Sequence, residues 1–187
     1  MVEKKSLGDD TFVLLFVDET SVSLHPLLRR CWMKRGQRTT IPAPGAPRYT
    51  HIFGAYNWRD GRVSYLTQDR KDSDGFIAFI EHVMLTEYPD VKVIMVLDNA
   101  SYHRSKASMA ALSLFEERLH TVWLPKYCPF LNPIERFWLH LKTRAAANRL
   151  HRDMDELVHA IDETICNQNH PEHTDRLNFA HHFRLMA

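Results

Sequence analysis

Three acidic side chains stand where metal-dependent phosphoryl chemistry would use them. Asp18 closes the apolar run Phe12-Val13-Leu14-Leu15-Phe16-Val17, and Asp98 closes a second, Val91-Lys92-Val93-Ile94-Met95-Val96-Leu97. Glu135 opens a helical segment in Asn132-Pro133-Ile134-Glu135. Carboxylates are hard oxygen donors, and Mg²⁺ or Mn²⁺ is characteristically held by a few of them together with waters and substrate phosphates. A lone buried carboxylate protonates rather than stay ionised, whereas a shared cation removes both the burial penalty and the repulsion between neighbours. Plainer roles compete. Either Asp serves equally well as the first residue of a turn after its strand. Glu135, behind Asn132 as cap and Pro133 as first helical residue, completes a capping box.

The elements that must position these groups follow from periodicity. Residues 12–18 and 91–98 read as buried strands, continuous and β-rich. Tyr49 to Trp58 and Arg62 to Thr67 flank Asp60-Gly61, a hairpin signal. The segment Pro42-Ala43-Pro44-Gly45-Ala46-Pro47 is a loop. Asp72 to Tyr88 predicts a helix, capped by Asp72 or Ser73 and stopped by Pro89. A second helix is expected over 105–118, with Met109, Leu112 and Phe115 at helical spacing, and a short strand over 120–124. Pro133 to about Leu150 is helical with Ile134, Phe137, Trp138 and Leu141 as its buried stripe, and Asp153 to about Asn167 is the last clear helix. This pattern predicts an α/β fold, a mixed five-stranded sheet with an antiparallel hairpin portion and helices on both faces. In open sheets of this kind, ligands gather outside the carboxyl ends of the strands, where Asp18 and Asp98 would lie. Residues 1–11 read as a polar lead-in or linker, and 12–187 as one domain with C-terminal helices.

The bulk composition bounds the class. With 187 residues, 44% hydrophobic and 25% charged, the chain has the make-up of a globular domain with a real core. No apolar stretch approaches a membrane span, and three scattered cysteines make a disulfide framework a poor fit, so a cytoplasmic setting is expected. The net charge of +1 conceals an uneven distribution. Thr20 to Arg59 holds seven bases (Arg29, Arg30, Lys34, Arg35, Arg38, Arg48, Arg59) and no acid, and Arg136 to Arg152 holds five more, again with none. Basic segments following two of the three carboxylates favour a polyanion at the site.

The words around the acids are more specific. Asp98-Asn99-Ala100-Ser101-Tyr102-His103 and Leu124-Pro125-Lys126-Tyr127-Cys128-Pro129-Phe130-Leu131-Asn132-Pro133-Ile134-Glu135 resemble the second and third catalytic motifs of DDE transposases of the mariner superfamily, nearest the bacterial insertion-sequence six-thirty group. Phe16-Val17-Asp18-Glu19-Thr20 is similar to the first motif, and Trp32 with Lys34-Arg35-Gly36 to the tryptophan-to-glycine element after it. Thirty-six residues separate Asp98 from Glu135, close to the family's interval. The resemblance runs from about Phe12 to Asn167.

What it implies is an RNase H-like fold and two divalent ions, Mg²⁺ or Mn²⁺, held by Asp18, Asp98 and Glu135, with Asp18 bridging both. The expected reaction is hydrolysis at transposon ends, then attack of the freed 3′-hydroxyl on target DNA. The expected partners are transposon-end and target DNA, with a homodimer in the DNA complex, no membrane, and nucleoid association when DNA is bound. Lys34, Arg35, Arg38, His103 and Lys126 are the candidate DNA contacts. His103 fits a structural polar role equally well. Glu19, by strand alternation, points away from Asp18 and is not counted as a ligand. Members of the family usually carry an N-terminal helix-turn-helix region, which is expected to be absent here, as in a catalytic domain alone, one frame of a split element, or a remnant.

Rival readings are a glycoside hydrolase using two of the carboxylates, a non-catalytic DNA-binding remnant, and an RNase H-like nuclease that cuts without joining. Cys166, His170, His173, His181 and His182 suggest zinc, but their spacing matches no compact structural site. No Gly-rich phosphate loop and no Gly-x-Ser-x-Gly elbow is present.

Overall fold

The two apolar runs pair with each other, and everything else is arranged around that pair. The computed structural model describes residues 12–36, 40–43, 45–125 and 131–174, with 173 and 174 described by backbone alone. Strand β1 (Phe12–Ser23) runs parallel to β4 (Lys92–Leu97) in the register Phe12↔Lys92 to Phe16↔Val96, and antiparallel to β2 (Tyr49–Asn57). Strand β3 (Val63–Gln68) closes the hairpin on β2, and β5 (Leu119–Trp123) lies parallel on β4. The sheet order is β3-β2-β1-β4-β5, with antiparallel pairing on one side of β1 and parallel pairing on the other. The expected mixed five-stranded sheet with a hairpin portion is therefore present. Gly61, at φ +74, makes the turn its Asp-Gly signal predicted.

One boundary differs in a way that matters. Strand β1 continues five residues past Asp18, because pairing with β2 runs on from Asp18↔Gly54 to Ser23↔Tyr49 while pairing with β4 stops at Phe16↔Val96. Asp18 is thus inside a strand, at the point where its parallel neighbour gives out.

Helices cover both faces. On one, α1 (Ser73–His82) and α2 (Lys106–Ser113) pack with Leu15, Val17, Phe53, Ala55, Val93, Met95 and Leu97. On the other, α3 (Ile134–Ala145) and α4 (Met154–Asn169) pack with Val22, Leu24, Ile52, Tyr56 and Val63. Residues of β1 alternate between the two cores, as the period of two requires. Asp72 caps α1 by accepting from the Gly75 N–H, and Asp153 caps α4 by accepting from the Glu156 N–H. The predicted 72–88 helix ends in a wider π turn, Val83–Glu87, and the carbonyls of Met84 and Tyr88 accept from the Arg118 guanidinium.

Helix α2 is shorter than its periodicity suggested, giving way to turns after Ser113, and Met109 is exposed. Its buried side carries Ser108, Ala111 and Leu112 instead; Ser108 is accommodated because its hydroxyl donates to the Tyr102 carbonyl at 2.6 Å. Helix α4 pins the hairpin through Asn169, which exchanges hydrogen bonds with the Val63 backbone, and through Gln168, which donates to the Gly61 carbonyl. A short helix, α5 (Pro171–Thr174), follows. Among the described residues no helix is long and apolar enough to cross a membrane.

Candidate active site

Register brings the first two carboxylates together. Residues 12–16 of β1 pair with the β4 residues eighty positions later, from Phe12↔Lys92 to Phe16↔Val96, so Asp18 and Asp98 each follow the last pair by two residues, Asp98 just beyond the end of β4. Neighbouring strands run about 4.8 Å apart, so the two side chains issue from one small region at the sheet's carboxyl edge.

Helix α3 brings the third. Its approach is fixed by Asn132, 4% exposed, whose side-chain amide donates to the Val17 carbonyl at 3.1 Å, and by Trp138, whose indole Nε1–H donates to Asp18 Oδ2 at 2.9 Å. Both bonds land on adjacent residues of β1, and Glu135 lies between the two donors in sequence. Asn132 makes both contacts at once: its Oδ1 accepts from the Ile134 N–H at 3.4 Å, as the expected cap would, while its amide N–H goes to the sheet. Glu135 is exposed on the first turn of α3, close enough for its charge to raise the proton affinity of Asp18.

The two aspartates are supported differently. Burial, then the charges of Glu19 and Glu135, push Asp18 up to about 7, against a smaller pull from the Glu19 N–H and Lys71. Asp98, about half exposed, is held below its usual range, chiefly by His103, whose Nδ1 lies 2.8 Å from Oδ1. The His103 ring is fully buried, with Nε2 2.7 Å from Glu19 Oε1. Burial alone would discharge the ring, but pairing with Asp98 and Glu19 outweighs it and pushes His103 up to about 9. Glu19 also accepts from the Tyr102 hydroxyl and lies 3.7 Å from the Lys71 ammonium.

The expectation that His103 touches DNA is therefore corrected. A ring enclosed by Glu19, Asp98, Tyr102 and Phe76 has no face left for a polyanion. Glu19 does point away from Asp18, as alternation required. Its function was not legible, although a Glu on the apolar face of a buried strand demands a cationic partner.

The remaining candidates divide. Lys34 and Arg35 are exposed in the segment after β1. The foot of that segment is fixed: Asn148, at φ +54 beyond α3, accepts from the Arg29 N–H and donates to the Arg29 carbonyl. Arg38 and Lys126 lie outside the described residues, as do residues 1–11, Cys128, His181 and His182. Two cations that the sequence did not single out stand beside the acids. Lys71 acts electrostatically on both Asp18 and Asp98. Lys142, two turns along α3 from Glu135, is lowered by burial against the opposing pull of Glu135 and Asp18.

Among the described residues, no three His, Cys, Asp or Glu side chains close into a metal-holding group. Asp18 is turned to Trp138, Asp98 to His103, and Glu135 to solvent. The donor chemistry nevertheless fits a hard divalent cation. The three are oxygen-only ligands, and the most buried of them carries a raised proton affinity to which two like charges contribute, a burden a divalent ion would relieve.

The sequence model described as DDE superfamily endonuclease matches residues 13–158. An insertion element IS630 uncharacterized 39 kDa protein of Shigella sonnei is 24% identical over 148 residues, 79% of this chain and 43% of the relative. This chain thus spans less than half the length of that protein. The Mos1 transposase paired-end complex with left transposon end superposes with a TM-score of 0.62 at 16% identity, over 88% of this chain and 52% of that one. The Mos1 mariner paired-end complex with Mn gives 0.62 at 15%, over 89% and 53%. The fold is accordingly the RNase H-like fold of those transposase catalytic domains. With most of its length inside the sequence model and its strand-borne acids where that fold gathers ligands, the chain belongs to the DDE superfamily endonuclease family.

Proposed function

We propose that this chain is the catalytic domain of a DNA transposase that cleaves phosphodiesters at transposon ends and joins the freed 3′-hydroxyl to target DNA. The observation that carries this reading is the parallel register of β1 and β4, whose last pair stands two residues before both Asp18 and Asp98, with the segment around Glu135 bonded onto the strand of Asp18 at two points. Asp18, Asp98 and Glu135 would hold Mg²⁺ or Mn²⁺, two ions per site. When bound, such ions supply Lewis-acid activation of the attacking oxygen and neutralise charge at the leaving oxygen.

The chain's own residues do the rest. Glu19 and His103 hold Asp98 ionised and aimed, so that it is ready as a ligand without first losing a proton. Lys71 and Lys142 are cations beside an acidic centre, suited to contact the phosphates flanking the scissile bond. Lys34 and Arg35, with Arg38 and Lys126, would hold the DNA backbone without reading its sequence. Pairing two transposon ends calls for two catalytic centres, which supports a homodimer in the DNA complex.

A nicking assay on supercoiled plasmid in Mn²⁺ tests the cleavage half. The parent cuts; Asp18→Ala, Asp98→Ala and Glu135→Ala each abolish cutting while plasmid binding persists. Cutting that survives any one substitution removes that residue from the mechanism, and cutting without metal supports a different hydrolase. An oligonucleotide with a free 3′-hydroxyl, offered with the same plasmid, separates a transposase from a nuclease that never joins strands.

A further inference from the structure

Trp138 does more than fill the core. Its side chain is 3% exposed, and a buried indole N–H needs an acceptor, which any backbone carbonyl could supply. Here the acceptor is Asp18 Oδ2 at 2.9 Å, on the most buried of the three candidate ligands. The ring reaches it by lying on the sheet face where a side chain is missing. Gly54 is the direct partner of Asp18 across β1 and β2, and a Cβ built there would lie 2.5 Å from Trp138 Cη2 and 2.8 Å from Cζ2. Real Cβ atoms do not approach that closely, so the indole rests where only glycine leaves room. Ile134, on the turn before, comes within 3.3 Å of the same point.

Resting on the metal-dependent reading above, we infer that Trp138 is a positioning residue for the metal site: its indole N–H fixes the Asp18 carboxylate in one orientation, and Gly54 is the residue that admits the ring. The choice of donor has a physical logic. A carboxylate offers about four lone-pair sites, and one N–H occupies a single site, leaving the others for a cation. A Lys or Arg in the same place would also neutralise the carboxylate and compete with the metal for its charge. A neutral donor orients without competing. Because Trp138 follows Glu135 by one helical turn, the same bond also sets the height of Glu135 relative to Asp18.

Mn²⁺ binding to the full chain, followed by electron paramagnetic resonance of the free ion, tests this directly. Trp138→Phe keeps most of the apolar volume and removes the donor. It should weaken Mn²⁺ binding by about tenfold, the usual scale for losing a group that orients a ligand, while circular dichroism melting shows a folded protein. Gly54→Ala, which lifts the ring, should act in the same direction. In an Asp18→Asn background, Trp138→Phe should cost nothing further, since the carboxylate it serves is gone. In the parent, the ¹⁵N-labelled Trp138 indole resonance should shift on adding Mg²⁺. Unchanged Mn²⁺ affinity in folded Trp138→Phe overturns the inference; should that variant not fold, an indole resonance indifferent to Mg²⁺ overturns it. A parent chain that binds no Mn²⁺ brings down the metal-dependent reading itself and this inference with it, whereas a parent that binds while Trp138→Phe binds equally well sinks the inference alone.

Discussion

Asp18 and Asp98 are the same residue, each two positions past the last pair of adjacent parallel strands, yet their surroundings drive them in opposite directions. Asp98 faces a buried, charged histidine and is held ionised. Asp18 faces a neutral indole and two like charges, and is raised to about 7. The difference lies in what stands behind each strand. Behind Asp98, Glu19 adds its charge to that of Asp98 itself in keeping His103 protonated, so a buried acid on β1 tunes an acid at the end of β4. Behind Asp18 the bonded neighbour is Trp138, a neutral donor that orients the carboxylate without balancing its charge. On the proposed metal reading, Asp98 would be prepared for the ion in advance, and Asp18 would gain most from its arrival.

The comparison is broken most severely at Glu19. Glu19→Leu leaves His103 buried with half its counter-charge removed, and truncating one partner of a buried pair costs on the order of 3–5 kcal/mol. Urea unfolding should show that loss, and it should shrink in Glu19→Leu/His103→Leu, where no charge is left stranded.

A pH series sharpens the same contrast. His103 rises from 6.5 to about 9 on folding, so its pairing stabilises fully below about pH 6.5 and is lost as pH climbs through 9. Asp18 rises from 3.8 to about 7, so ionising it in the folded chain is penalised and stability falls as pH climbs from about 4 through 7. Asp98 works the other way, its depressed value giving stability above the usual carboxylate range that is lost on acidification. The metal-free melting temperature should therefore decline from pH 5 to pH 9, with no single group supplying more than about 3–4 kcal/mol. Mg²⁺ should raise that temperature more at pH 8 than at pH 5. A flat profile would contradict the assigned environments.

Asn132→Ala acts on the Asp18 side alone. It strands the Val17 carbonyl and frees the start of α3, which should cost about 1–3 kcal/mol in denaturant unfolding and lower plasmid nicking more than binding. Lys34→Ala with Arg35→Ala, on the exposed segment, should leave unfolding unchanged and reduce the salt dependence of DNA binding, by about 0.9 in the log–log slope for each phosphate no longer neutralised. An effect of that double change on stability would place those side chains in the wrong environment.

Much of the fold is legible in the residues alone, for identifiable reasons. Strands buried on both faces announce themselves as continuous apolar runs, and an Asp-Gly turn between two β-rich segments admits few alternatives; hence the sheet. The stripe Ile134, Phe137, Trp138, Leu141 marks the buried side of α3 correctly. What periodicity could not supply was partners. It placed Trp138 in the core without saying that its N–H would find Asp18, and offered Asn132 as a cap without saying that its amide N–H would also reach β1. It put Glu19 on the far face without revealing that His103 meets it there, and so left His103 open to a DNA role that burial excludes. The end of β1 was misplaced because the apolar run stops with the parallel neighbour, while antiparallel pairing continues through polar residues.

The central claim is that three acids from separate elements serve one metal centre, and crystals soaked in Mn²⁺ test it most directly through the anomalous signal. The predicted result is density ligated by Asp18 and Asp98 together, with Glu135 turned in from solvent as a further ligand. Manganese bound elsewhere, or bound with Glu135 still facing solvent, would contradict it.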